Sequence, residues 1–372
     1  MFPVGISISL TGKYREQGEN ALNGLRLWED YVNSTGGLAL GNTAGREAIT
    51  LRYLDDESKV EQCPKNIERL IRDGIQLLFG PYSSGLTGAA AAAAAAEGKI
   101  LWNHGGACES AYSAHASSVI SVLSPARTYL WNLPDLIAHR KLPVNKLVVL
   151  VASQRKFPSE VASGLADSCR RHGLEICQVE ISRRKFEPIQ LIQTALDQDP
   201  GCLVTIGQYD EEIKVFEHRA VFHKIDLAVC VAAGVSAFYR DLSRMAEGIV
   251  GPSQWEPGSC LRPDLGPDDG WFCQQYYRHF RKTPDYTAGQ AFACGLIMQK
   301  CLGAASDPAA RALRAAALRL DCQTFYGRFH LDPSGAQSGH QPLLVQWESG
   351  RKHVVWPPDR EKSPGGNQQR NF

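Results

Sequence analysis

The sequence predicts an α/β protein of two lobes, each built on a parallel sheet. Three observations point there. Strand-like and helix-like patterns alternate from the first residues, and the alternation breaks and then restarts over a stretch of similar size. The chain is also long enough for two cores, with 372 residues, 44% of them hydrophobic and 21% charged. Two successive βα runs imply two sheets, hence two lobes with a cleft between them.

Residues 4–10 form a short β-rich run. In 16–34, Ala21, Leu25, Trp28 and Val32 recur at helical spacing, and Gly36-Gly37 supplies a stop. Residues 49–55 alternate apolar and polar side chains, as a strand does. A helix at 59–73, a buried strand at 77–79, a helix at 84–97 and a strand at 100–102 complete the first run. The alanine run within 84–97 reads as a tightly packed helix, because alanine has the highest helix propensity and lets backbones approach.

An irregular stretch, 110–144, separates this from the second run. There, strands are predicted at 147–152, 176–181, 202–206 and 227–231, with helices at 159–172, 187–197, 211–222 and 236–245. A Pro/Gly-rich loop follows at 252–267, then helices at 268–280, 287–303 and 308–320. Strands at 329–331, 343–348 and 353–356 close the pattern, and 358–372 reads as a disordered tail.

A net charge of +1 and a pI near 7.6 give no basic field to draw the chain onto nucleic acid or anionic lipid. The longest apolar runs fall far short of the roughly 20 residues of a membrane-spanning helix. No charged-then-apolar leader precedes Val4, which leaves two expectations: an extracytoplasmic protein whose signal is absent from this sequence, or an intracellular one. The eleven cysteines are scattered, without a CxxC pair, and read mostly as buried free thiols. No metal ligand, cofactor or catalytic residue is expected.

Two segments stand where ligands of open α/β sheets bind. Gly80-Pro81-Tyr82-Ser83-Ser84-Gly85-Leu86-Thr87 joins a buried strand to a helix, whose unpaired N–H groups and dipole, with the Ser83 and Ser84 hydroxyls, suit a carboxylate. Ser83 acting only as an N-cap is the plainer alternative. Trp102-Asn103-His104-Gly105-Gly106-Ala107-Cys108 follows the next strand; Gly105 and Gly106 permit either close backbone approach to a ligand or a tight turn. His104 and Cys108 raise a hydrolase reading, but no third group orients them. GxSxG, HExxH, P-loop and GxGxxG patterns are absent from the sequence. In the second run, Phe157 and Tyr209 each follow a strand, placed to stack on a ligand or to sit as half-buried loop aromatics. Asp210, Glu211 and Glu212 fit the first turn of a helix, where carboxylates favour the dipole.

The order of segments resembles the type I periplasmic binding proteins, specifically the Leu/Ile/Val-binding branch of ABC-transporter receptors. The resemblance is carried by SISLTG at 7–12, GENALNG at 18–24, Asp55-Asp56-Glu57-Ser58, GPYSSGLT at 80–87, the 105–107 loop, Phe238-Tyr239, GPSQW at 251–255 and YGRF at 326–329. It spans about residues 4–356.

The resemblance implies two Rossmann-like lobes joined by a three-strand hinge. Lobe 1 is expected at 1–121 and 251–329, lobe 2 at 122–250 and 330–357. It further implies capture of a small amino acid or related carboxylate by hinge closure, delivery to an ABC permease in the membrane, a periplasmic location and a monomer. A cytosolic sensor or a receptor domain of the same fold is the alternative. Tyr82, Ser83, Ser84, Gly105, Gly106, Ala107 and Cys108 are the implied carboxylate side, with Phe157 and Tyr209 covering the ligand. The family's threonine on the second loop reads as Ala107, and the acidic partner of an α-ammonium reads as Ala233. The positions of the family's early disulfide read near Ser58 and Tyr82.

Overall fold

The computed structural model describes residues 1–39, 45–182, 186–222, 225–259 and 262–361. The chain divides into two compact units, the first of Met1–Pro125 with Cys260–His340, the second of Ala126–Ser259 with the segment from Gln341.

The first stretch runs β1 (Phe2–Ile8), α1 (Arg15–Ser34), the short β2 (Leu38–Ala39) and β3 (Arg46–Glu47), β4 (Ile49–Asp55), α2 (Gln62–Arg72), β5 (Leu77–Phe79), α3 (Ser84–Ala96), β6 (Leu101–Asn103) and β7 (Val119–Ser121). The second runs α4 (Leu133–His139), β8 (Lys146–Val151), α5 (Lys156–His172), β9 (Glu175–Glu180), α6 (Pro188–Leu196), β10 (Cys202–Ile206), α7 (Tyr209–Phe216), β11 (Leu227–Cys230), α8 (Ala237–Leu242) and β12 (Val250–Ser253). The first unit then resumes with α9 (Asp269–Phe280), α10 (Tyr286–Ala304), α11 (Ala310–Arg319), β13 (Asp321–Gln323) and β14 (Arg328–His330). Finally, β15 (Leu343–Glu348), β16 (Arg351–Trp356) and α12 (Pro358–Glu361) follow.

In the first unit, β4-β1-β5-β6-β7 form a parallel sheet. Its strands are short and apolar because both faces are covered by helices. On one face, α1 and α10 approach closely: a β-carbon at Gly24 would meet the Ala288 backbone, and one at Gly295 would meet the Trp28 ring. On the other, Leu86, Ala90, Ala91 and Ala94 of α3 pack with Ile67 and Leu70 of α2. The small alanine side chains make that close packing possible.

In the second unit, β9-β8-β10-β11-β12 are parallel, and β15 and β16 extend the sheet antiparallel beyond β12. Its core gathers Val148, Leu150, Leu203, Phe216, Phe238 and Trp347.

Several sequence expectations change here. The stretch 110–144, read as irregular, holds β7 and α4. Both are short and gain their stability from packing, with Val119, Leu133, Leu136 and Ile137 buried. The helix expected over 211–222 ends at Phe216 and yields to a 3-10 turn at Arg219–Val221. Residues 250–253 straddle the expected lobe boundary and the start of the expected loop; the structure places them in β12, paired with β11 and β15 within the second unit. Of the tail expected to be disordered, Pro358–Glu361 form α12 and 362–372 lie outside the described residues.

Candidate ligand-binding site

Both parallel sheets share one strand order. Numbered by appearance, each reads 2-1-3-4-5, so in each the chain turns one way after the first strand and the other way after the third. Loops leaving the carboxyl ends of those two strands diverge and open a crevice, which is where open α/β sheets bind ligands. In the first unit this crevice lies beside the loops after β1 and β5. In the second it lies beside the loops after β8 and β10.

The loop after β5 is the 80–87 segment, so the anion cradle read from sequence sits at the first switch point. Ser83 occupies the N-cap position of α3 with extended backbone, yet its side chain makes no capping hydrogen bond. Ser83 is half-buried, and the first turn of α3 behind it contains no acidic side chain. The hydroxyl thus stands at the opening N–H groups of a thirteen-residue helix without capping them. Tyr82, next to Ser83 in the chain, contacts two further tyrosines. The Tyr82 ring meets Tyr14 edge-on at 5.9 Å, and its hydroxyl lies 3.4 Å from that of Tyr286 at the start of α10. Burial pushes the Tyr82 phenol up to about 12, so it stays a neutral hydrogen-bonding group.

The loop after β6 lies beside the cradle, as expected, but the N–H groups of both its glycines are spent. The Asn103 amide oxygen accepts from the N–H groups of Gly105 (3.1 Å) and Gly106 (2.8 Å), while its nitrogen donates to the Gly106 carbonyl (2.8 Å) and the Ser121 hydroxyl (3.1 Å). The Cys108 N–H donates to Ser84 Oγ at 3.1 Å. Gly105, Gly106, Ala107 and Cys108 are all buried. A β-carbon at Gly105 would lie 2.8 Å from Tyr82 Cα, and one at Gly106 would overlap the Thr87 side chain. The glycines are thus required to dock this loop on the cradle.

His104 is fully buried against Phe79, with neither ring nitrogen hydrogen-bonded among the described residues. Burial lowers it to about 4, so it is a neutral core imidazole and makes no hydrogen bond to the Cys108 thiol. Asp55 and Asp56 tie the β1 and β4 loops together. Asp55 accepts from Leu10 N and Thr11 Oγ1, and Asp56 from Ser9 Oγ and Ser58 N.

At the second unit's switch point stand Phe157, in the first turn of α5, and Tyr209, the first residue of α7. The sequence pattern places both on loops. Each is half-buried; Phe157 packs edge-on against Tyr129 at 5.3 Å, and the Tyr209 hydroxyl donates to Asp241 at 2.7 Å. Arg155 pairs with Glu211 at 2.6 Å, with side chains 19% and 16% exposed, linking the starts of α5 and α7. Glu211 also accepts from Gln208 N, closing a capping box.

Glu212, one residue on, turns inward. Its carboxylate accepts from Gly207 N (2.6 Å), Ala232 N (2.6 Å) and the Cys230 thiol (3.0 Å), and burial raises it to about 7. Ala233 is fully buried, its carbonyl accepting from the Trp347 indole at 2.9 Å.

The family model for periplasmic binding proteins matches residues 2–352. The chain belongs to the periplasmic binding protein family. Solved structures with the type I fold of this family superpose over nearly the full length. A leucine-binding protein from Thermotoga maritima does so with a TM-score of 0.79 at 12% identity, covering 95% of this chain and 97% of its own. A branched-chain amino acid substrate-binding protein from Streptococcus pneumoniae, in complex with isoleucine, gives 0.78 at 16%, covering 95% and 98%. An ABC-transporter solute-binding protein from R. palustris, in complex with benzoate, gives 0.75 at 19%, covering 95% of each chain.

In this periplasmic binding protein, then, Tyr82, Ser83 and Ser84 gather at one switch point and Phe157 and Tyr209 at the other. Gly105, Gly106, Ala107 and Cys108 lie behind the cradle, and Ala233 lies in the core. Sequence reasoning passed over Asn103, Tyr14, Tyr286 and Arg155. Only Asn103 left a signal, an amide at a strand end before two glycines. Glu212 was read as a dipole-facing acid of a first turn, which it is, without its bonds to the β11 turn.

Proposed function

We propose that this chain is the substrate-binding component of an ABC-type transporter, working outside the cytoplasm and passing a small amino acid or related carboxylate to a membrane permease. The reading rests chiefly on the Ser83 hydroxyl and the α3 N-terminus, left uncommitted at a topological switch point. That arrangement is a site for one small anionic group. The ligand carboxylate binds there beside Tyr82 and Ser84. The second unit then closes, bringing Phe157 and Tyr209 over the remainder of the ligand. Binding and release suffice, and no covalent step is involved.

Positions 233, 211 and 212 of the second unit favour carboxylates without an α-ammonium. Ala233 offers no carboxylate, Glu211 is neutralised by Arg155, and Glu212 is bonded to backbone N–H groups. A buried ammonium there would lack its strongest partner. The relatives in complex with isoleucine and with benzoate mark the two ligand classes to compare.

A thermal-shift screen over amino acids, aromatic acids and short organic acids tests the proposal. A true ligand at 100 times its Kd stabilises the protein by about 2.7 kcal/mol. A panel in which no carboxylate raises the melting temperature overturns it.

A further inference from the structure

We propose that Glu212 is the positioning residue of the second unit: its buried carboxylate fastens the turn after β10 to the turn after β11, and its ionised form is the one that sets Tyr209 for ligand. The argument rests on the function proposed above and adds a named group and a pH dependence to it.

The geometry is specific. One carboxylate oxygen accepts from Gly207 N, directly before the Gln208-Tyr209 start of α7; the other accepts from Ala232 N and from the Cys230 thiol on the neighbouring strand. All three donors are matched by an ionised carboxylate, which is acceptor-only. A protonated carboxyl brings an O–H into a ring of donors, where the Cys230 sulfur is the one partner that can turn from donor to acceptor, so the thiol gives up its own bond to the carboxyl. That bond belongs to the link between β11 and Gly207, two residues before Tyr209.

The surroundings make such a change reachable near neutral pH. Glu212 is 1% exposed, and among the described residues it forms no ion pair. From its own helix Glu211 faces it, and that charge is bound by Arg155. β11 contributes Cys230, whose thiol burial and the adjacent carboxylate keep protonated. No residue of α6, β10 or the Val231–Gly234 turn carries an ionised side chain toward it, the one ionisable group of these, Cys202, being a buried thiol. On α8, Asp241 takes the Tyr209 hydroxyl and the Arg240 guanidinium. Burial without a cation holds the carboxyl at about 7.

The test uses the full chain in two arms. In the first, amide resonances of Gly207 and Ala232 are followed from pH 5.5 to 8.5 in deuterated protein. Both are expected to move with one midpoint near 7 in the native sequence and to stay flat in Glu212→Gln. Amides that do not titrate in the native protein overturn the proposal, whether or not the variant folds. In the second, L-leucine and benzoate are titrated calorimetrically at pH 6 and 8. Affinity for whichever binds should rise about tenfold with pH, and less than twofold in Glu212→Gln. Equal pH dependence in both proteins overturns the coupling to ligand. If neither probe binds, the transport reading has failed on this pair, while the amide arm still decides the role of Glu212.

Discussion

Replacing Ser83 by alanine separates the two things a serine can do at a helix start. A hydroxyl that caps a helix contributes about 1 kcal/mol to stability, and its loss shows as a lower urea midpoint. Ser83 stands at the N-cap position of α3 but makes no capping bond, so Ser83→Ala should change unfolding free energy by less than about 0.5 kcal/mol. The same hydroxyl, donating to a ligand carboxylate, takes part in a charge-assisted hydrogen bond of about 1–3 kcal/mol. Affinity should therefore fall about 5- to 150-fold.

Urea unfolding without ligand and calorimetric titration with the best ligand of the thermal-shift screen measure the two quantities on one preparation. Unchanged affinity, together with a stability loss of about 1 kcal/mol, would show that Ser83 is only a cap. The anion cradle would then have to be abandoned.

Two further outcomes follow from the geometry. Asn103→Leu removes the acceptor of the buried Gly105 and Gly106 N–H groups and should cost about 3 kcal/mol or more in urea unfolding, with ligand affinity lost because the adjoining loop supports the cradle. Stability should also depend on pH through two buried groups of opposite sign. Glu212, raised from 4.5 to about 7, keeps a proton in the folded state that the unfolded chain has released, so its contribution falls as pH rises through that window. His104, lowered from 6.5 to about 4, stays neutral when the unfolded imidazole is charged, so its contribution falls as pH drops below 6.5. Each slope is about 1.4 kcal/mol per pH unit, and they cancel across the overlap. The native profile should be nearly level between pH 4.5 and 6.5, and Glu212→Gln should expose the His104 limb as a steady loss of stability on acidification over that range. A variant profile as level as the native one would count against both assignments.

The architecture was largely legible in the sequence because hydrophobic period fixes element type over long runs. Residues 16–34, 49–55 and 202–206 were read almost as they stand, each carrying enough residues for its period to show. β7, α4 and β12 are also short but carry neither a clear alternation nor an unbroken apolar run, and their stability comes from neighbours distant in sequence. The cradle was legible for a different reason. A serine-glycine segment between a buried strand and a helix has few uses, and both of its uses place Ser83 at the helix start. What the sequence did not reveal is which donors remain open. Gly105 and Gly106 suit ligand approach or loop docking equally well until Asn103 is seen to occupy both N–H groups. The inward turn of Glu212 likewise depends on a strand 18 residues later.

The two sheets share a strand order but differ in what their switch points leave open, and this bears on how selectivity is divided. The first unit offers uncommitted donors and a helix dipole, which recognise a carboxylate whatever is attached to it. The second unit spends Arg155 on Glu211, and Glu212 on backbone and thiol donors, and sets two half-buried aromatic rings at its switch point. Under the proposed function, anion recognition therefore resides in the first unit and discrimination among carboxylates in the second. Substitutions at Phe157 and Tyr209 should reorder ligands relative to one another, whereas Ser83→Ala should weaken all of them by a similar factor. A Ser83→Ala protein that loses one carboxylate and keeps another at full affinity would break that division, since a dipole and a hydroxyl cannot distinguish what lies beyond the group they hold.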